Sequence, residues 1–427
     1  MSRLRLFAVA LALLVAACSF DEPPTKPPRT VFIGPLTGSW TMFRGDPARD
    51  GHPFGVTLTR EAAARLSLGW SVDAGAPVDT GPVVAAGLVV VGTEAGTLAG
   101  YSTEQGKQVW QVTGLGPLTG QLLIYGGNVY AGSSDGRLYA FELQTGDRIW
   151  DWRAPGLQPA IGGGPVVFQG LLLVGVGSQP GDQPREAGRL VALDPASGDR
   201  VWSSCLLSAC GAGDGILSSV AIDPSGVGFV GVGNPDDALA GFDAGLGRLR
   251  WKNSLYLDAG RGVDVTATPL VFRSGDRERV AVGGTEGSFG VFEAASGIPV
   301  WTRQLVSGSP LHGLAGSPAF DGLAIYVPSA GSPGGLLAVN PDTGAIRWRD
   351  ESPVPVFSSP AVGLGVVVYG EGSAFGAGRG AMVAVSNADG SELWRFPTDA
   401  AVVASPALAG EAVYVADRSG RLMAFRP

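Results

Sequence analysis

The chain is poor in the residues that most site chemistry needs. Among 427 residues there are two histidines, His52 and His312, and three cysteines, Cys18, Cys205 and Cys210. A His-based metal centre needs several imidazoles, and Ser-His-Asp chemistry needs one beside the nucleophile, so little material exists for either. Charged residues make up 16% of the chain, below the usual quarter, and sum to −8. No Lys/Arg block or basic stripe appears, which argues against a nucleic-acid partner. The apolar run from Leu6 to Ala17 is too short to span a bilayer, which takes about 20 residues.

What is present is turn material around apolar strands. There are 67 glycines and 31 prolines, yet apolar residues are a normal 45%. The glycines follow no three-residue period, so collagen is excluded, and the aromatic and β-branched content is too high for disorder. A turn-rich, all-β globular protein remains.

Met1 to Ala17 has a short basic start, Arg3 and Arg5, before the apolar run, and ends Val15-Ala16-Ala17-Cys18. This resembles a bacterial lipobox, which implies a signal peptide at 1–17 and a lipid anchor on Cys18 holding the protein to a membrane. Pro23, Pro24, Pro27 and Pro28 favour polyproline II, so residues 18–39 read as the lipidated cysteine and a tether; the stretch from Ser19 to Thr30 should span roughly 35–40 Å. Ser19 resembles outer-membrane sorting in a bacterium with two membranes, with the protein facing the periplasm. In a bacterium with one membrane, the cell surface is expected. Residues 40–69 form an N-terminal segment in which Thr59 can cap a short helix through Glu61 to Arg65.

Residues 70–427 are one unit repeated. Trp70, Trp110, Trp150, Trp202, Trp251, Trp301, Trp348 and Trp394 recur every 40 to 52 residues. The last seven each follow a Gly turn such as Thr145-Gly146 or Asp389-Gly390. An alternating strand precedes each turn, as in Gly136-Arg-Leu-Tyr-Ala-Phe141. Earlier in each unit a step such as Gly164-Pro165, Ser317-Pro318 or Ser405-Pro406 opens another strand. Four short antiparallel strands in 40–50 residues make a propeller blade, and eight of them make an eight-bladed β-propeller. The last unit ends at Pro427 without a Trp strand, while Trp70 precedes any complete unit. The Trp70 strand should therefore close the last blade beside the Phe425 strand, removing the open edge.

A Trp after each Gly turn resembles the tryptophan-docking motif of quinoprotein-type propellers, in which each Trp packs between blades. The segment from Trp40 through Arg44-Gly45-Asp46 to Gly51 resembles what precedes the first blade in such proteins; its Arg-Gly-Asp letters are not taken as an integrin motif. Two families share this pattern. One comprises the non-catalytic lipoproteins of the outer-membrane β-barrel assembly machinery, which implies a binding scaffold with an envelope protein or peptide as partner. The other comprises the dehydrogenases that use pyrroloquinoline quinone (PQQ) and Ca²⁺. Gly188 to Trp202, Ser218 to Pro224, Gly231 to Pro235 and Asp264 to Pro269 resemble the polyvinyl-alcohol-dehydrogenase type. That resemblance implies Asn234 and Glu186 near calcium and Asp264 as the base. The pattern departs from it in two places. Aligned on Thr268-Pro269, the catalytic position falls on Gly262, with Asp264 reached only by a two-residue shift, and the quinone-contacting Lys aligns with Thr285 beside Glu286. A non-enzymatic scaffold with no cofactor is the expectation, with the PQQ and Ca²⁺ alcohol dehydrogenase as the alternative. Cys205 and Cys210 are the only thiols after Cys18 and are expected to pair in an oxidising compartment. The turns Asp194 to Gly198 and Asn340 to Gly344 look like loose Ca²⁺ loops, but turn chemistry accounts for them.

Overall fold

The structure is a computed structural model that describes residues 38–427 except 54, 157, 179–187, 207, 209–214, 235, 257–261 and 377. Alternation of apolar and turn residues gives eight sheets of antiparallel strands around one axis. Blade 1 runs outward through Val83–Ala85, Leu88–Gly92, Leu98–Ser102 and Gln108–Val112. Blades 2 to 7 repeat this order, and blade 3 gains one extra short strand, Pro159–Ala160. Blade 8 takes three strands from the C-terminus and its outermost from the N-terminus, Ser67–Asp73. That strand pairs antiparallel with Arg421–Arg426, Leu68 opposite Phe425 and Trp70 opposite Ala424. The closure expected from the sequence is therefore present.

An antiparallel meander sends its turns alternately to two ends. Turns between the first and second strands, and between the third and fourth, emerge on one face, the turn face. Links between blades, and turns between the second and third strands, emerge on the other, the linker face.

The tryptophans hold blade to blade. The indole Nε1 of Trp110 donates to the Leu143 carbonyl of the next blade at 2.8 Å, and Trp150, Trp202, Trp251, Trp301 and Trp348 do the same at 2.9–3.1 Å. Trp70 reaches the Thr103 carbonyl of blade 1 at 2.9 Å. Each ring lies on the glycine of the neighbouring turn: a Cβ on Gly146 would sit 2.6 Å from Trp110, and one on Gly247 2.5 Å from Trp202. Those glycines also have positive φ, 75° and 66°, so both the turn and the stacked ring demand glycine. Trp394 faces the blade whose third and fourth strands come from opposite chain ends, where no such turn exists. It packs instead on Phe425, with centroids 5.0 Å apart, and on Phe396.

Candidate functional site: the plugged channel and the linker face

The channel end nearer the turn face is occupied by the segment that precedes the propeller. Trp40 and Val84 of blade 1 exchange two backbone hydrogen bonds of 2.8 Å. The segment then follows the ring of innermost strands. The carbonyls of Thr41, Pro47, Ala48, Asp50 and Gly51 accept from Ile124, Ile222, Val271, Phe320 and Val362, on blades 2, 4, 5, 6 and 7. Thr57 donates to Gly410 of blade 8 at 3.2 Å. Blade 3 is reached by a side chain, because Arg49 Nη2 donates to the Pro165 carbonyl at 3.1 Å. A short helix, Arg60–Ala63, follows, with the Thr59 hydroxyl accepting from Ala62 as its N-cap. We call residues 40–57 the strap.

Two arginines anchor the strap. Arg49 is fully buried and also donates to the carbonyls of Val220 at 2.9 Å and Phe43 at 2.6 Å. Arg44, 1% exposed, donates to the carbonyls of Pro318, at 2.8 Å, and Pro360. Pro165, Pro318 and Pro360 are the prolines that open innermost strands, so the strap reads the same position in several blades. This burial rules out Arg44-Gly45-Asp46 as a displayed adhesion tripeptide. Burial pulls the guanidinium groups down, Arg44 to about 9 and Arg49 to about 10, which leaves both cationic at neutral pH. Burial pushes the Asp46 carboxyl up to about 7, with the Asp50 charge adding to it, and raises Asp50 as well. Asp46 Oδ1 meanwhile accepts from the Arg49 amide at 2.8 Å.

A girdle of hydroxyls surrounds the channel just before the innermost strands. Gly164 N–H donates to Ser219 Oγ at 2.7 Å, Ser219 to Thr268, Thr268 to Ser317, Ser317 to Ser359, and Ser359 to Ser405, the last four at 2.9–3.0 Å. At Gly81 the Gln121 amide oxygen substitutes, at 3.0 Å. The small residue of each small-Pro step is thus a fastener between blades. The sequence showed the step but not this role, because the partner lies one blade away. The strap's residues carried no periodic signal at all.

On the linker face the structure brings together Asn234 and Asp264. The backbone N–H and Nδ2 of Asn234 donate to Asp264 Oδ1 at 2.9 and 3.2 Å. The Asp264 N–H donates to Thr285 Oγ1 at 2.8 Å, and the Thr285 N–H returns a bond to the Asp264 carbonyl at 2.9 Å. Tyr256, which sequence reasoning passed over, packs against this corner; a Cβ on Gly284 would lie 2.3 Å from its ring. The pair Gly283-Gly284 is the signal that could have found it. Burial and then the charges of Asp237 and Asp264, with Glu286 also contributing, push the Tyr256 hydroxyl well above its ordinary range. Glu186 and Cys210 lie outside the described residues, while Cys205 ends an outermost strand opposite Arg189.

The charges acting on the Tyr256 hydroxyl are those of three carboxylates, so a tricarboxylate quinone would fit at this corner only through a bound cation such as Ca²⁺. Among the described residues no group of three or more His, Cys, Asp or Glu is arranged to hold a metal ion. The Asp194 turn is closed by its own backbone, with Oδ1 accepting from Ala196 and Ser197 at 2.8 and 3.0 Å. A cleft of about 440 Å³ on blade 2 is lined by Asp135, Arg137, Tyr139, Arg148 and Asp151. Its charges pair with one another, Arg137 with Asp151 and Arg148 with Asp151. Glu371, at the start of a linker-face loop of blade 7, is 3% exposed and takes both arms of Arg395 at 2.6 and 3.2 Å.

No curated protein matches the chain. Solved structures share its fold at low identity. The quinohemoprotein alcohol dehydrogenase from Comamonas testosteroni is 18% identical with a TM-score of 0.77, over 91% of this chain and 80% of that one. BamB from Moraxella catarrhalis is 17% identical with a TM-score of 0.67, over 85% of this chain and all of that one. The computationally designed protein Ika8 is 13% identical with a TM-score of 0.63, over 83% and 98%. An enzyme, an assembly factor and a design share one architecture, so this likeness speaks for fold alone. The family model described as outer membrane protein assembly factor BamB matches residues 62–223, 187–350 and 332–427, so that all eight blades are spanned, and the chain belongs to that family.

Proposed function

We propose that the protein is a non-enzymatic envelope scaffold, lipid-anchored through Cys18, that binds a protein or peptide partner in outer-membrane protein assembly. The observation that carries this reading is the commitment of Asp264. Its Oδ1 accepts from both the backbone N–H and Nδ2 of Asn234 and so ties two linker-face loops together, a structural use of the carboxylate that a scaffold calls for. Membership of the assembly-factor family supports the same direction. The net charge of −8 favours a neutral or basic partner. Within this reading Cys205 and Cys210 form a disulfide that closes a short linker-face loop, worth about 2 kcal/mol; thiol titration of the denatured protein should find neither free.

The adjacency of Asn234 and Asp264 is also what favours the second reading, a PQQ- and Ca²⁺-dependent alcohol dehydrogenase. One titration separates the two. With PQQ and Ca²⁺ added, the scaffold reading expects no saturable quenching of tryptophan fluorescence and no dye reduction with alcohols. Micromolar binding with turnover would reject it. Its positive test is genetic: cells lacking the protein should assemble outer-membrane barrels at reduced yield, and Asp264→Asn should restore that yield.

A further inference from the structure

Blades 2 and 3 repeat one surface arrangement, with one residue changed at its centre. In blade 2 the third strand opens on Arg137 and the outermost on Arg148, and Asp151 follows the docked Trp150. Asp151 bridges the two arginines, with Oδ2 paired to Arg137 and Oδ1 to Arg148 at 3.7 Å. In blade 3 the same places hold Arg189, Arg200 and Ser203. The registers agree residue by residue. Tyr139 lies opposite Asp151 and Val191 opposite Ser203, and the register shifts at the same step in both blades. An arginine at the start of the third strand reaches this place in blade 8 too, where Arg421 Nη2 donates to Ser71 Oγ, next after Trp70, at 3.2 Å. Of the eight blades, only 2 and 3 carry both arginines.

The change from carboxylate to hydroxyl goes with a cleft that holds no acid. It measures about 460 Å³ and is lined, among the described residues, by Pro155, Arg189, Arg200, Val201, Trp202 and Ser203. The corresponding cleft of blade 2 contains Asp135 and Asp151. Arg200 has no hydrogen bond or ion pair with a described residue. Arg137 holds Asp135 at 3.9 Å in addition to Asp151, so a guanidinium in this position serves two partners at once, and the site asks only the second service of Arg189.

We propose that the blade 3 cleft binds an acidic side chain of a partner protein, its carboxylate taking between Arg189 and Arg200 the place that Asp151 fills in blade 2. The occupant is a side chain and not a free anion for two reasons. Its internal counterpart is one, and Val201, 55% exposed, with Pro155 offers apolar contact to the residues beside it. Arginine and tryptophan around a small pocket are also what anchors a protein interface. The chain as a whole is negative, at −8, so the cleft reads a single carboxylate and does not draw in an acidic surface. The inference rests on the comparison of two blades and is independent of the scaffold reading.

Phenylglyoxal modifies accessible arginines, and peptide mass spectrometry reads each of them separately in the full chain. The capped peptide acetyl-Leu-Glu-Leu-amide should slow modification of Arg200 several-fold, and its Leu-Gln-Leu counterpart should not. Arg148, in the same sample, should keep its rate. Ser203→Asp should slow Arg200 without any peptide and remove the peptide's effect. Asp151→Ser should make Arg148 respond to the peptide as Arg200 does. Neither position is buried, and the two variants shift the response in opposite directions, so either decides if the other misfolds. Protection should weaken as salt rises from about 0.1 to about 0.5 M. Absence of protection, equal protection of Arg148 and Arg200 in the parent, or protection that survives Ser203→Asp overturns the proposal. Acetate or inorganic phosphate protecting Arg200 as well as the peptide does at equal concentration also overturns it, in favour of a free anion.

Discussion

At the scale of the residue, the repeat is specified by pairs of neighbours in space, a tryptophan and a glycine one blade on. Gly247→Ala should cost about 1–3 kcal/mol beyond the backbone penalty, because its Cβ would meet the Trp202 ring at 2.5 Å. Gly410→Ala has a similar φ, 64°, but nothing nearer than the Thr57 hydroxyl at 3.9 Å. It should lose only about 1–2 kcal/mol from strain, and urea unfolding of the pair isolates the ring contact. Asp46 makes a second prediction. Its folded pKa, raised to about 7 from an ordinary value near 4, means that the unfolded state gives up this proton first as pH rises. Its contribution is fully present below about pH 4 and is lost on rising through pH 7. Asp46→Asn keeps the acceptor for the Arg49 amide and removes the titration, so it should unfold with a shallower decline between pH 4 and 7 than the parent. The Trp-Gly spacing was legible in the sequence because it repeats. Asp46 and its two arginines were not, since they occur once and their partners are up to 316 residues away.

At the scale of the element, the strap and the closing strand do different work. The closing strand completes one sheet, and its need could be read from the counting of tryptophans. The strap joins innermost strands of different sheets, and only its resemblance to a pre-blade segment hinted at it. Arg49→Ala removes three donors from buried carbonyls, each costing about 1–3 kcal/mol when left unsatisfied. Arg49→Lys should not restore stability, because an ammonium cannot reproduce the planar fork. Hydrogen exchange reads the consequence directly. In Arg49→Ala the amides of Ile222, Val271, Phe320 and Val362, which donate to the strap, should exchange faster as a group, while those within outer strands keep their rates. Of the linker-face candidates, a family resemblance in the sequence singled out Asn234 and Asp264, and the structure places them side by side. Their direct hydrogen bonds, both to Asp264 Oδ1, depend on how two loops meet, and no local pattern encodes that.

At the scale of the whole molecule, the ring is the unit of stability. Deleting Arg421–Pro427 removes the strand that receives Ser67–Asp73 and leaves blade 8 with two strands. The deletion should abolish the single cooperative urea transition rather than merely lower its midpoint. Eight blades around a plugged axis leave two faces for recognition, and the same ring serves proteins with and without catalysis, so fold was legible and function had to be argued from loops. The strap has one more consequence, in time rather than space. It leaves the ribosome before any blade, yet the Pro360 carbonyl to which Arg44 donates lies 316 residues later. At synthesis rates of about 5–20 residues per second, that carbonyl follows by roughly 15–60 s. Throughout that interval the segment destined for the centre has no centre to enter, so the plug, made before the ring, is the part that must be kept waiting.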